Sequence, residues 1–202
     1  MTAAGSEGML VVAAFDFDGT LTKRDSLLPF LVAVRGPAAV GLAAARLAPR
    51  LAMMAAGRAD RDTTKEALVT HLLAGYPAAD LRAAGVRYAD RLATRLRPDV
   101  VARVDRHRDA GHELVLVSAS PSVYLDPLGA QLGFAAVLAT RLEVGPDGNL
   151  TGRLDGGNCR GPEKVARLRS WLGDRSPAEI WAYGDSAGDD DLLAFADHAE
   201  RV

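Results

Sequence analysis

At 202 residues, with 49% hydrophobic and 25% charged side chains and a net charge of −2, the chain has the make-up of a folded globular protein. That length holds one full-sized domain, or a core carrying a smaller insert, and excludes a string of domains on long linkers. The balanced charge excludes a disordered polyelectrolyte, and the single cysteine, Cys159, excludes an internal disulfide and fits a reducing, cytoplasmic setting.

The first eight residues are small and polar without a basic cluster, and the apolar run 9–15 meets Asp16 at once. This predicts a buried strand over 10–15 and no signal peptide. Residues 27–98 carry helical patterning but no strand patterning. Val40, Ala44, Leu47, Leu51 and Met54 recur at helical spacing, predicting one helix over 40–54 with Arg46 and Arg50 on another face. The stretch 36–57 is the most membrane-like, yet Arg46, Arg50 and Pro49 oppose a spanning helix, so no integral membrane segment is expected. Residues 27–98 hold eleven Lys and Arg against five Asp and Glu, a net of +6 that leaves −8 elsewhere. A basic insert on an acidic core suits a small anionic substrate. Without interleaved aromatic and basic residues, nucleic acid is not expected.

Beyond the insert, helices are expected over 99–110, 122–132 and 163–172, stopping at Gly111, Gly133 and Gly173, and strands over 113–117, 136–139 and 179–183. Residues 142–144 and 150–154 flank Gly145-Pro146-Asp147-Gly148-Asn149 and predict a hairpin ornamenting the sheet edge. A further strand is expected to begin at Val202, where the sequence ends, as in a shortened chain. The alternation of strands and helices predicts an α/β fold on a parallel sheet.

In such a sheet, ligands bind beyond the carboxyl ends of the strands. The first strand delivers Asp16 and Asp18 there, with Gly19 allowing a sharp turn: one carboxylate can attack phosphorus and the other can carry a proton. An Asx-type turn is the plainer alternative. Ser118, at the end of the second strand, can bind a phosphoryl oxygen, or the hydroxyls of this stretch can simply cap the next helix. Lys164 lies near a helix start, where a cation is unfavourable unless something else holds it. The strand 179–183 leads into Asp185 and Asp189, and Asp185 is placed to complete a Mg2+ site with Asp16. Asp190 and Asp191 read as the acidic first turn of the last helix.

These pieces, taken in order, resemble the haloacid dehalogenase superfamily of phosphohydrolases, and the phosphoserine-phosphatase-like subfamily IB in particular. Asp16-Phe17-Asp18-Gly19-Thr20 looks like the first motif, Ser118 the second, Lys164 the third, and Gly184-Asp185-Ser186-Ala187-Gly188-Asp189 the fourth. The resemblance implies a Rossmann-like core, residues 1–26 and 99–202, with a small helical cap, 27–98, inserted after the first strand. It implies that Asp16 becomes an aspartyl phosphate, that Asp18 protonates the leaving alkoxide and then activates water, and that Ser118 and Lys164 hold phosphoryl oxygens. It also implies Mg2+ on Asp16, the Asp18 carbonyl and Asp185, with Asp189 close by, and contact between Lys164 and Asp16.

Departures bear on the substrate. Gly188 and Ser118-Ala119-Ser120 stand where phosphoserine phosphatases carry Asn and Ser-Gly-Gly, which points away from phosphoserine itself. Asp25 occupies the place of a Glu that reads the substrate amine, and Arg58, Arg61 and Lys65 are spaced to share one helix face, which either binds a carboxylate or second phosphate of the substrate, with Arg61 as the binding residue, or is simply a solvated basic face. A small phosphate monoester is the expected substrate. A lysophospholipid, suggested by the apolar stretch 47–54, and a catalytically idle module of the same fold are the alternatives.

Overall fold

The computed structural model describes residues 9–58 and 61–202, with the side chains of residues 61 and 62 outside that description. The central strand β1 (Val11–Phe15) is apolar at every position and buried from Val12 to Phe15. A strand with such a run needs cover on both faces, and it has it. Ala13 and Phe15 point into one apolar cluster, while Val12 and Ala14 point into a second on the opposite face.

Around β1 the strands β2 (Glu113–Pro121), β3 (Ala136–Val144), β4 (Leu150–Asp155), β5 (Glu179–Gly184) and β6 (His198–Arg201) form one sheet in the order β4-β3-β2-β1-β5-β6. All neighbours are parallel except β3 and β4. The chain builds outward from β1 to β2 and β3, then returns to the other side for β5 and β6. The order therefore reverses at β1, and the crevice outside the carboxyl ends of β1, β2 and β5 is where a ligand site forms in an open α/β sheet.

Between β1 and β2 lie α1 (Leu27–Arg35), α2 (Pro37–Arg46), α3 (Ala48–Ala55), α4 (Arg61–Leu73), α5 (Ala78–Ala93) and α6 (Pro98–Asp109). The remaining helices are α7 (Ser122–Gln131) after β2, α8 (Pro162–Leu172) before β5, and α9 (Asp190–Phe195) after it. No single helix among the described residues is long and apolar enough to cross a membrane.

Four expectations change. The helix expected over 40–54 is two helices parted at Leu47, because Pro49 has no N–H for the carbonyl four residues back and its ring crowds that carbonyl. Arg58 follows Gly57, whose φ of 68° ends α3, so Arg58 sits in the link before α4 and shares no helix face with Lys65. The strand expected to begin at Val202 already runs as β6, pairing residues 198–201 with β5. The hairpin is no ornament: its turn bonds to the link between α4 and α5 through Gly75 N to Leu150 O (2.8 Å), Leu150 N to Tyr76 O (2.9 Å) and Ala78 N to Gly148 O (3.0 Å).

The helical segment is welded to the sheet through α5 and α7. At Gly85 the α5 backbone passes so close to α7 that an added Cβ would lie 2.1 Å from the Val123 carbonyl oxygen. Gly85→Ala would normally help a helix by about 1 kcal/mol. Here it is expected to destabilise the protein by about 1–3 kcal/mol through overpacking, which urea unfolding will measure.

On the same face, α6 lays His107 against Phe15, Trp181 and Tyr183, with its Nε2 2.9 Å from the Tyr183 hydroxyl and its Nδ1 2.7 Å from His112 Nδ1. Burial, reinforced by His112 and Arg106, holds its pKa down at about 4. The unfolded chain binds a proton at this position from about pH 6.5, the native state only below about 4, so this contribution to stability is present above 6.5 and lost as pH falls toward 4. In His107→Gln that loss, on the order of 1–3 kcal/mol, should be missing from a denaturation series across this interval, whatever the variant's stability at neutral pH.

Candidate active site

Asp16 follows β1 directly and is fixed by its own N–H, which donates to the Tyr183 carbonyl of β5 at 2.9 Å. Its carboxylate is 6% exposed. Lys164, 148 positions later, enters from the first turn of α8 and is 2% exposed. Its Nζ donates to Asp16 Oδ1 and to Asp189 Oδ1, both at 2.5 Å. The partner that a lysine at a helix start requires is thus a pair of buried carboxylates. Burial opposes the ammonium's charge, but the two aspartates outweigh it and its pKa lies above the ordinary value. Burial lifts Asp16 to about 6 even against Lys164.

Asp189 is saturated. Beyond Lys164, its Oδ2 accepts from the N–H groups of Asp185 (3.2 Å) and Ser186 (3.0 Å) and from the Ser186 hydroxyl (3.0 Å). Burial pushes its pKa up, and Lys164 and Ser186 more than reverse this, leaving it below the ordinary carboxylate value. Asp189 therefore positions Lys164 and the loop after β5. Asp190 and Asp191 fall in the first turn of α9, as the sequence reading expects.

Asp185 differs. Its Oδ1 is buried without a hydrogen-bond partner, one of two such side-chain atoms among the described residues. Burial, then Asp189, raises its pKa. Gly19, at φ 89°, leaves it room: a Cβ there would lie 2.1 Å from Asp185 Oδ2. Asp16, Asp185 and Asp189 each offer an oxygen within 4.8 Å of the others. Three carboxylates balanced by only one ammonium, with Asp185 Oδ1 unsatisfied among them, make a site that suits a hard divalent cation such as Mg2+.

Asp18 stands apart from that cluster. Its Oδ2 accepts from Ser26 Oγ at 3.0 Å and from Ser120 Oγ, and Ser26 Oγ also meets the Tyr124 hydroxyl at 2.8 Å. Burial raises its pKa despite these hydroxyls. The two carboxyls thus meet different partners, Asp16 a buried lysine and Asp18 a set of hydroxyls, while burial raises the pKa of both.

Ser118 is buried where β2 reaches the site, and its Oγ accepts from Ser120 N at 3.2 Å. It lines the same cavity as Asp16, Asp18 and Lys164, a space of about 490 Å³. Asp25 is exposed at the rim, and its Oδ1 accepts from the N–H groups of Leu27 (3.0 Å) and Leu28 (3.2 Å), so it caps α1. Lys65 bridges from α4 to the Ala119 carbonyl at 3.0 Å. Arg61 opens α4, but its side chain lies outside the described residues.

Ser26, Tyr124, Asn158 and Arg160 join the site without having been singled out in the sequence. Ser26 and Tyr124 carry no motif of their own in the sequence, and they meet across 98 positions of chain. Asn158 and Arg160 belong to a Gly-rich loop with no periodic signal.

Comparison with known proteins agrees with this geometry. The family model described as haloacid dehalogenase-like hydrolase matches residues 13–194. The chain is 40% identical over 194 residues to Protein CicA of Caulobacter vibrioides, covering 96% of this chain and 85% of that protein. A crystal structure of a Bordetella pertussis protein of unknown function superposes with a TM-score of 0.79 at 27% identity, covering 95% of this chain and 89% of that one. A phosphoserine phosphatase solved as a phospho-aspartyl intermediate analogue shares the fold, with a TM-score of 0.64 at 19% identity over 95% of this chain and 86% of its own. The site at the carboxyl ends of β1, β2 and β5 and the match over nearly the whole sequence lead to one assignment: this chain belongs to the haloacid dehalogenase-like hydrolases.

Proposed function

We propose that the protein is a magnesium-dependent phosphatase that hydrolyses a small phosphate monoester through an aspartyl phosphate on Asp16. The observation that carries this reading is the pair of unlike carboxyls: Asp16 ion-paired to buried Lys164, and Asp18 bonded to hydroxyls instead of a cation, with burial favouring its protonated form. A nucleophile and a proton donor two residues apart at one cavity floor are what phosphoryl transfer to a carboxylate requires. The fold shared with the phosphoserine phosphatase caught as a phospho-aspartyl analogue supports it.

Lys164 and Ser118 bind phosphoryl oxygens, offsetting charge and aligning phosphorus with Asp16. An Asp16 oxygen bonds to phosphorus as the ester P–O bond breaks, and Asp18 gives its proton to the departing oxygen. Asp18, now a carboxylate, takes a proton from water, whose oxygen attacks phosphorus. The Asp16–phosphorus bond breaks, inorganic phosphate leaves and both carboxyls return to their starting states. Mg2+ bound by Asp16 and Asp185, with the Asp18 carbonyl and Asp189 completing its surroundings, would neutralise charge gathered on the phosphoryl group.

Residues 27–98 serve in this reading as a cap over the core formed by 1–26 and 99–202. Leu51, Met54 and Lys65 bring that segment to the cavity wall. Asp25 joins the substrate side from the rim, and Arg61 joins it on sequence grounds.

Chelation should lower turnover of p-nitrophenyl phosphate at least 100-fold, with recovery on adding Mg2+. Undiminished turnover after exhaustive EDTA treatment would remove the metal from the mechanism. Asp16→Asn, which cannot form an acyl phosphate, should lower kcat by roughly 10³-fold or more while the circular dichroism spectrum stays native. A variant with near-normal kcat would assign the nucleophile elsewhere.

A further inference from the structure

Outside the site, one surface has no explanation in hydrolysis. Residues 26–58 contain no Asp or Glu, but they contain Arg35, Arg46, Arg50 and Arg58 among a majority of Ala, Leu, Val and Met. Among the described residues none of these four arginines pairs with an acidic side chain: Arg35 lies over the Tyr76 ring and Arg46 meets His71. Such a length without one acid is unusual in a chain whose remainder is acidic.

The two helices at the middle of this segment repeat one pattern. On α2, Val40 and Ala43 are buried, while Leu42, 54% exposed, and Arg46 lie on the opposite side of the helix, four residues apart. On α3, Leu51 and Met54 face the cavity, Met53, 51% exposed, lies on the outward side, and exposed Arg50 stands at the helix flank, three residues from Met53 and outside the cavity lining. Each helix thus turns one large apolar side chain outward beside an arginine. The two helices share Leu47 as their junction, its N–H donating to the Ala43 carbonyl and its carbonyl accepting from Leu51 N.

We infer that the outer face of α2 and α3 docks on an anionic membrane surface. Exposed Leu and Met beside arginines that meet no acidic side chain among the described residues, with no acid to repel lipid headgroups, match the chemistry of an interfacial amphipathic helix. A second copy of the chain fits worse, since a two-fold interface would set the same arginines against each other. Docking there brings the membrane to the cavity mouth, because Leu51 and Met54 on the inner side of α3, with Leu27, Leu28 and Leu68, form an apolar wall leading down to Lys164. Resting on the phosphatase reading, the substrate class is then an amphiphilic phosphate monoester, its phosphate at Asp16 and its alkyl part along that wall.

The test is flotation with vesicles of phosphatidylcholine alone and with 30% phosphatidylglycerol. The purified protein should float with the anionic vesicles only, and should release them when salt is raised from 50 to 300 mM. Arg50→Gln combined with Arg58→Gln should weaken partitioning roughly 20-fold or more, at about fivefold per arginine, and adding Met53→Gln should weaken it further. None of these three side chains lines the cavity, so p-nitrophenyl phosphate turnover should be unchanged. Absence of flotation, equal flotation with neutral vesicles, or binding that ignores these substitutions and salt would overturn the docking. Phosphate release from dodecyl phosphate should exceed that from ethyl phosphate in kcat/KM by at least tenfold, and equal values would overturn the substrate class. Failure to hydrolyse any ester would refute the phosphatase reading alone, because flotation needs no turnover.

Discussion

Everything at the site depends on a buried ammonium shared between two carboxylates. Lys164 is removed from water almost completely, and leaving such a charge unpaired costs several kcal/mol. Asp16 and Asp189 offset that cost only if the end of β1, the start of α8 and the loop after β5 meet at one point. The local chain is shaped to allow it. Gly161, at φ 56°, turns into α8, and its N–H donates to the Gly188 carbonyl at 2.9 Å, tying the helix start to that loop. The same triad links the end of β1 to the loop after β5 and holds the orientation of the Asp16 carboxylate, so fold and site draw on one interaction.

A second network sets the character of Asp18, and it reaches outside the sheet. Ser26 bonds Asp18 and Tyr124, and the Tyr88 hydroxyl donates to the Ser26 carbonyl at 2.9 Å. The rings of Phe30, Tyr88 and Tyr124 then pack on one another at centroid distances of 4.9–5.3 Å. The surroundings of Asp18 are therefore made by α1, α5 and α7 together. The helical segment contributes the hydroxyl partners that set this carboxyl apart from Asp16, only two residues away, which meets a lysine instead.

Much of this was readable from residue order. Asp16, Asp18, Ser118, Lys164 and Asp185 all stand at strand ends or a helix start, where period and punctuation are strongest, and the structure gathers them around one cavity. The four interior strands were legible because each carries a mostly apolar run, unbroken along β1, that cover on both faces requires. What escaped notice lacked such periodicity. The β6 strand, His198 to Arg201, is polar and mostly exposed at a sheet edge, held by backbone pairing that leaves no apolar signature. The break at Leu47 was hidden because apolar spacing continues across Pro49. Asp25 was visible as a carboxylate near the nucleophile, but its task as the cap of α1 depends on where that helix begins. Ser26 and Tyr124 meet only across 98 positions of chain, and no local pattern announces a contact of that span.

The bonds between the β3–β4 turn and the link from α4 to α5 also limit how the cavity can breathe. A lid that swings as a rigid body needs both its connections to flex. Here the far end of the helical segment is stitched to the sheet's edge by three backbone bonds and by Thr70 Oγ1 donating to the Gly152 carbonyl at 2.5 Å, and α5 is wedged against α7. The freedom that remains lies in α2 and α3, whose inward contacts are sparse: α3 has no buried residue. Among the described residues α3 is thus a part of the cavity wall held by no buried side chain, and a local opening there would cost less free energy than a hinge motion of the whole segment.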